Sequence, residues 1–151
     1  MEPQSPTTQS LYQLIVELDW PPPRVGSRAI SNILGGTFKG DRLSGKMRRS
    51  GADWPVGRSD GTSALDIRAL METDDGALIY MTALGRYVVP DSIQNMSLTE
   101  RANVNPADYY IRISPLFETD APRYSWLNGI QAIGLGKFRE TGLIVDMFEL
   151  L

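Results

Sequence analysis

From Leu11 to its C-terminus the chain is cut by clusters of Gly, Pro, Asp and Asn into runs of roughly five to eleven residues, each with β-type alternation or β-branched enrichment. This punctuation restricts the fold more than any other feature, because it is the pattern of an antiparallel sandwich or barrel. It predicts strands near 11–19, 28–39, 42–50, 62–72, 77–89, 108–118, 130–139 and 142–150. "TDDGA" (73–77) and "ETGL" (140–143) carry tight-turn chemistry between apolar runs and read as hairpins. "DWPPP" (19–23) cannot be a central strand, since proline offers no N–H to a ladder. In "SLTERANVNPADY" (97–109), Ser97 is followed three residues later by Glu100, the capping-box spacing, so a short helix is expected as an insertion on the β framework.

Residues 1–10, rich in Pro, Ser, Thr and Gln, read as a disordered tail, and 11–151 as a single domain. Eight strands in about 140 ordered residues, with 14 glycines available for bends, favour closure over an open sheet. The expected fold class is therefore all-β: an eight-stranded antiparallel up-and-down β-barrel with a short helical insertion. A barrel of this size holds either packed side chains or one small ligand.

Composition then removes whole classes of chemistry. The chain has no Cys and no His, so thiolate nucleophiles, zinc–thiolate sites and Ser-His-Asp or Cys-His mechanisms are excluded, and proton transfer falls to Asp, Glu, Tyr, Lys or water. The net charge of −3 and the lack of any basic run longer than Arg48-Arg49 speak against a nucleic-acid partner. No apolar run approaches the roughly 20 residues of a membrane span, and "MEPQSPTTQS" has no apolar signal region, so a cytoplasmic protein with no membrane partner is expected. Asp74 and Asp75 lack the spacing of a calcium loop, so no metal is expected. The glycines at 35–36 and 134–136 form no dinucleotide fingerprint and read as barrel bends. No cofactor is called for; the expected partner is a small-molecule substrate, with a homo-oligomer left open.

Strand parity sorts side chains into two sets. Asp66, Arg68 and Glu72 share one face of their strand, Tyr80, Thr82 and Arg86 one face of the next, and Tyr110, Arg112 and Ser114 one face of a third. This mixed charged and aromatic face is either solvated outer surface, where charges are cheap, or the wall of a polar pocket, where they must pair.

The succession "GGTFKGDRLSGKM" (35–47), "GADW" (51–54), "RSDGTSALDIR" (58–68), "ETDDGALIYMTALG" (72–85), "YYIRISPLFET" (109–119) and "YSWLNGIQAIGLGKF" (124–138) resembles the family of unknown function numbered 3237 (DUF3237), also called UPF0311. The resemblance runs from about residue 11 to the C-terminus. It implies a calycin, lipocalin-like barrel, in agreement with the strand count, and moves weight toward an enclosed pocket. Its members are mostly uncharacterised. A few fungal relatives are cofactor-free cyclases of secondary metabolism that add a hydroxyl across an alkene within one molecule, an implication by analogy, since one fold hosts many functions.

Within that frame the candidate catalytic residues are Asp53, Asp66, Arg68, Arg112 and Tyr80. In "GADWP", Gly51 permits a strained backbone, Pro55 stops the strand, and Trp54 could supply the apolar wall that raises the Asp53 carboxyl toward a working pKa; an ordinary turn cap is the alternative. Asp66 and Arg68 sit two apart on one face, with Arg112 in reach from another strand, as a base with an oxyanion holder or as a structural ion pair. Candidate substrate-binding residues are Trp54, Glu72, Tyr110, Phe117, Trp126 and Asn128, with Trp126 and Asn128 of "YSWLNG" at a pocket mouth or, for the tryptophan, in the core. The function expected is a cofactor-independent cyclase or isomerase (a lyase-type activity) acting on a small oxygenated metabolite of natural product biosynthesis. A non-catalytic hydrophobic binding barrel, a hydratase or dehydratase, and a scaffold with a filled lumen are the alternatives.

Overall fold

The computed structural model describes residues 1–151. Its strands are β1 (Thr8–Leu18), β2 (Arg24–Val25), β3 (Arg28–Ala29), β4 (Ser31–Lys39), β5 (Ser44–Asp53), β6 (Val56–Gly57), β7 (Thr62–Thr73), β8 (Leu78–Val88), β9 (Tyr110–Glu118), β10 (Gln131–Arg139) and β11 (Gly142–Leu150). Between β8 and β9 lie two one-turn helices, α1 (Asp91–Gln94) and α2 (Leu98–Arg101), and a 3₁₀ turn; a longer 3₁₀ segment, Pro122–Gly129, joins β9 to β10. Each of the eight expected runs carries one long strand. The run 28–39 is interrupted at Ile30 into β3 and β4. β1 starts earlier than the polar composition suggested: Thr8, Gln9 and Ser10 pair with Leu150, Glu149 and Phe148 of β11.

The eight long strands meander antiparallel in chain order, β1–β4–β5–β7–β8–β9–β10–β11, and β11 pairs back onto β1. The result is a closed eight-stranded up-and-down barrel. Short β2, β3 and β6 attach as an arm beside the start of β7.

Irregularities bend the wall where glycine allows it. The β4–β5 register shifts between Asn32 and Gly36, and Gly36 has φ +148° with room for no side chain: a Cβ there would sit 2.1 Å from the Ile15 carbonyl oxygen. This is the bend expected of the Gly35-Gly36 pair. Gly134 and Gly136 do something else. Neither has a positive φ; their missing side chains make space for Ile113 and Ile111 of β9, which would lie 2.7 and 2.6 Å from a Cβ.

One half of the lumen is packed solid. A bulge between Ser10 and Tyr12 leaves consecutive Leu11 and Tyr12 both buried. The Tyr12 ring packs on Phe38 (5.5 Å between centroids) and edge-on to Phe117 (6.3 Å). Its hydroxyl faces the sulfurs of Met71 (3.9 Å) and Met81 (3.8 Å). Met47, Ile79 and Met147 complete this plug. Flexible methionines around a rigid aromatic fill irregular space well. The other half of the lumen is hollow.

Candidate functional site

At the hollow end, the last residues of β5, β8 and β10 and the first residues of β4, β7 and β11 surround a cavity of about 860 Å³. The Trp20–Pro22 segment and the loop and helix from Gln94 to Arg101 form its cover. That volume falls in the range of small-molecule sites, about 300–1,000 Å³. Leu65, Ile111, Phe138 and Leu143 give it an apolar wall, and Ser31, Asp53, Thr62, Ser63, Tyr87 and Arg101 give it polar points. A second, smaller depression of about 310 Å³ lies between β1, the β4–β5 turn and β11. Its Asp146 carboxyl is held below the usual range by hydrogen bonds from Gln13 and Lys137.

Asp53 enters the cavity because of register. It pairs with Ile67 of β7 on one side and Ser31 of β4 on the other, and the Ile67 parity set, Leu65, Ala69 and Met71, is the buried face of β7. Gly51 sets this up: its φ of +86° lies at the β5–β7 register shift, and a Cβ there would stand 2.1 Å from the Arg68 carbonyl oxygen. The Asp53 side chain is half-buried, and it lines the cavity.

Burial pushes the Asp53 carboxyl up to about 7. The main-chain N–H of Asp66 opposes that rise by donating to Asp53 Oδ1 at 3.1 Å, while the negative Asp66 side chain adds to it. A carboxyl poised there holds and releases a proton with comparable ease at neutral pH, which is the property of a general acid–base group.

The cavity also contains a buried cation. Arg101, the last residue of α2, is 4 % exposed. Its Nε–H donates to the Met96 carbonyl (3.1 Å), Nη2 to the Gln94 carbonyl (2.6 Å) and Nη1 to the Tyr87 hydroxyl oxygen. The guanidinium lies 4.8 Å from the Trp20 ring centroid and 5.2 Å from that of Phe138. All these partners are neutral, and no carboxylate comes within 4.0 Å of it. Burial holds the Tyr87 phenol above its usual range against the pull of Arg101, so Tyr87 stays neutral. The capping box fixes this corner: Ser97 Oγ accepts from the Glu100 N–H, and Glu100 Oε2 accepts from the Ser97 N–H.

Most of the other residues singled out from sequence lie elsewhere. The polar parity face of β7, β8 and β9 points outward. Arg68, Tyr80 and Tyr110 are exposed, and Asp66 and Arg112 are half-buried on the outer wall, with the Arg112 guanidinium stacked 4.6 Å from the Tyr110 ring. The physical reason is that outward charges keep their hydration, whereas a set of this size turned inward would need a partner for each. Glu72 is also on the outside, where hydrogen bonding from Arg48 (2.8 Å) and the charge of Lys46 hold its carboxyl below the usual range.

Trp54, one residue after Asp53, points away from the cavity by strand alternation. Its main-chain N–H donates to the Asp66 carbonyl (2.9 Å) and its main-chain carbonyl accepts from Arg28 Nη1 (2.9 Å). The apolar wall beside Asp53 therefore comes from the barrel and not from the indole. Phe117 faces inward but belongs to the plugged half. Trp126 is covered by the Arg42 guanidinium at 4.3 Å. Asn128 locks a turn, accepting from the Thr119 N–H (2.8 Å) and donating to its carbonyl (2.9 Å). Of the expected residues, only Asp53 lines the cavity. Asp75, in the β7–β8 hairpin, is occupied by Thr73, Arg123 and Tyr124.

The sequence profile described as "Protein of unknown function (DUF3237)" matches residues 6–150. The chain belongs to the DUF3237 family. A UPF0311 protein of Rhodopseudomonas palustris (strain TIE-1) is 35 % identical over 127 residues, covering 83 % of this chain and 82 % of the relative. A second, from Clostridium acetobutylicum, is 36 % identical over 103 residues, covering 68 % and 65 %. Among solved structures, a β-barrel-like protein from Acinetobacter baumannii superposes with a TM-score of 0.83 at 35 % identity, over 99 % of both chains. A protein described only as an enzyme from Penicillium herquei shares the barrel with a TM-score of 0.73 at 20 % identity, over 100 % of this chain and 98 % of its own. This DUF3237 chain contains no helix long and apolar enough to cross a membrane.

Proposed function

We propose that this DUF3237 barrel is an enzyme performing cofactor-independent acid–base catalysis on a small, largely apolar, oxygenated metabolite, with Asp53 as the proton-transferring group. The reading is carried by one observation: a carboxyl with its pKa raised to about 7 lines a cavity of about 860 Å³. In a chain without His or Cys, few other side chains can shuttle a proton at neutral pH.

The reaction class is cyclisation or isomerisation. Ionised Asp53 takes the proton from a substrate hydroxyl. The resulting oxygen anion bonds to one carbon of an activated alkene, the π pair moves to form the adjacent carbanion or enolate, and protonated Asp53 returns its proton there. The product is an isomer of the substrate and Asp53 is regenerated. Holding oxygen and alkene in contact can itself remove ~7–11 kcal/mol of barrier, so a shaped cavity with one well-placed base is a sufficient catalyst.

The test is conversion of a panel of ortho-prenylated phenols and hydroxy-enones, read by chromatography and mass spectrometry. Wild type should yield a ring-closed product of unchanged mass, and Asp53→Asn should slow this by ~10²–10⁴-fold. An Asp53→Asn protein as active as wild type rejects the assignment. A product one water heavier, carrying solvent oxygen, selects a hydratase instead.

A further inference from the structure

The buried Arg101 is hydrogen-bonded but has no carboxylate partner. A guanidinium removed from water is normally paired with an acid, because its hydration must be replaced. Here the replacement is two main-chain carbonyls, a phenol oxygen and two aromatic faces, all of them neutral. Of its five N–H groups, three are used in these bonds. A second observation points the same way. The Tyr87 hydroxyl oxygen accepts from Arg101, and its own O–H donates to no protein group. Arg24, on the arm beside the same cavity, adds positive potential at Tyr87. Three groups that attract negative oxygen thus border one hollow, and Asp53 borders it without forming an ion pair with any of them.

We propose that the natural ligand is an anion: an apolar body carrying a carboxylate, or the conjugate base of an acidic phenol or enol, seated on Arg101 and the Tyr87 O–H, with the rest of the molecule against Leu65, Ile111 and Phe138. The guanidinium lies beside the Trp20 and Phe138 rings, its three bonds leave one N–H on Nη1 and one on Nη2 for the ligand, and charge-assisted bonds from such donors are short and directional. The inference rests on the reading of this cavity as the substrate site and narrows the substrate class. Its test measures binding alone, so it stands or falls separately from turnover by Asp53.

The test uses two fluorescent probes with the same aromatic skeleton: 8-anilinonaphthalene-1-sulfonate, an anion, and N-phenyl-1-naphthylamine, which lacks the sulfonate. Their dissociation constants are measured on the wild type, Arg101→Met and Arg101→Lys. Arg101→Met should weaken the anionic probe by about tenfold or more and leave the neutral one within about twofold, and Arg101→Lys should restore most of the difference. Equal weakening of both probes in a folded Arg101→Met protein, or no weakening of either, overturns the proposal. Should Arg101→Met fail to fold, the wild type still decides: 1-naphthoate should displace the bound anionic probe at a concentration about tenfold lower than 1-naphthamide, and equal displacement overturns the proposal.

Discussion

The two halves of this barrel are built from the same strands and differ in what those strands point inward. In the closed half the inward positions are Tyr12, Phe38, Met71, Met81, Phe117 and Met147, large side chains whose volumes meet at the axis. In the open half they include Ser31, Asp53 and Ser63, short side chains that leave the cavity between themselves and the larger Leu65, Tyr87, Ile111 and Phe138. The plugged half supplies the apolar burial that offsets a hollow, and the hollow half then tolerates a raised carboxyl and a buried guanidinium. A polar group tells the same story in each. Tyr12 has its hydroxyl against two sulfurs, and burial pushes its pKa well above the usual phenol range, so it never ionises. Asp53 borders open space and is poised near neutrality.

The comparison is broken most forcefully by exchanging function and stability between the halves. Asp53→Asn should abolish most turnover while the melting temperature at pH 8 holds or rises, because a charge is removed from a partly desolvated site; activity assays beside calorimetry check it. Tyr12→Ala, at the centre of the plug, should cost ~3–5 kcal/mol of stability in denaturant titration, since the surrounding rings and methionines cannot close the void. Leu65→Ala, against space that is already open, should cost less, about 2 kcal/mol.

Linkage sharpens the contrast further. The folded pKa of Asp53 is raised from 3.8 to about 7, so the native state holds its proton where the unfolded chain has lost it. Stability should therefore fall as pH climbs from about 4 to about 7, by a few kcal/mol at most. That decline should vanish in Asp53→Asn and persist in Tyr12→Phe. The smallest effect belongs to Ser97→Ala: loss of the cap should cost about 1 kcal/mol, concentrated in faster hydrogen exchange around α2.

How much of this was legible follows from what alternation encodes. The eight strands were readable because hairpin residues such as Asp75-Gly76 and Thr141-Gly142 punctuate runs of period two. The capping box at Ser97 and Glu100 was readable because it is a local contact. Parity divided each strand into two faces, yet it carries no sign: it could not say which face was the lumen, and the charged set of Asp66, Arg68 and Arg112 lies outside. Asp53 was found through its turn chemistry, while the wall expected from Trp54 is on the opposite side of the strand.

Tyr87 and Arg101 were missed for different reasons. Tyr87 belongs to the inward set of β8 with Ile79, Met81 and Ala83, where a polar residue at the end of an otherwise apolar face was the available signal. Arg101 was hidden because its burial is tertiary. A basic residue at the end of a short capped helix looks solvated until the segment folds over the barrel mouth.

The most direct test of the account is a ¹³C NMR titration of the Asp carboxyl carbons, with Asp53 assigned by its absence in Asp53→Asn. A midpoint near 7 is the result expected of a carboxyl held at the wall of an apolar hollow. A midpoint near 4, that of a hydrated aspartate, contradicts it.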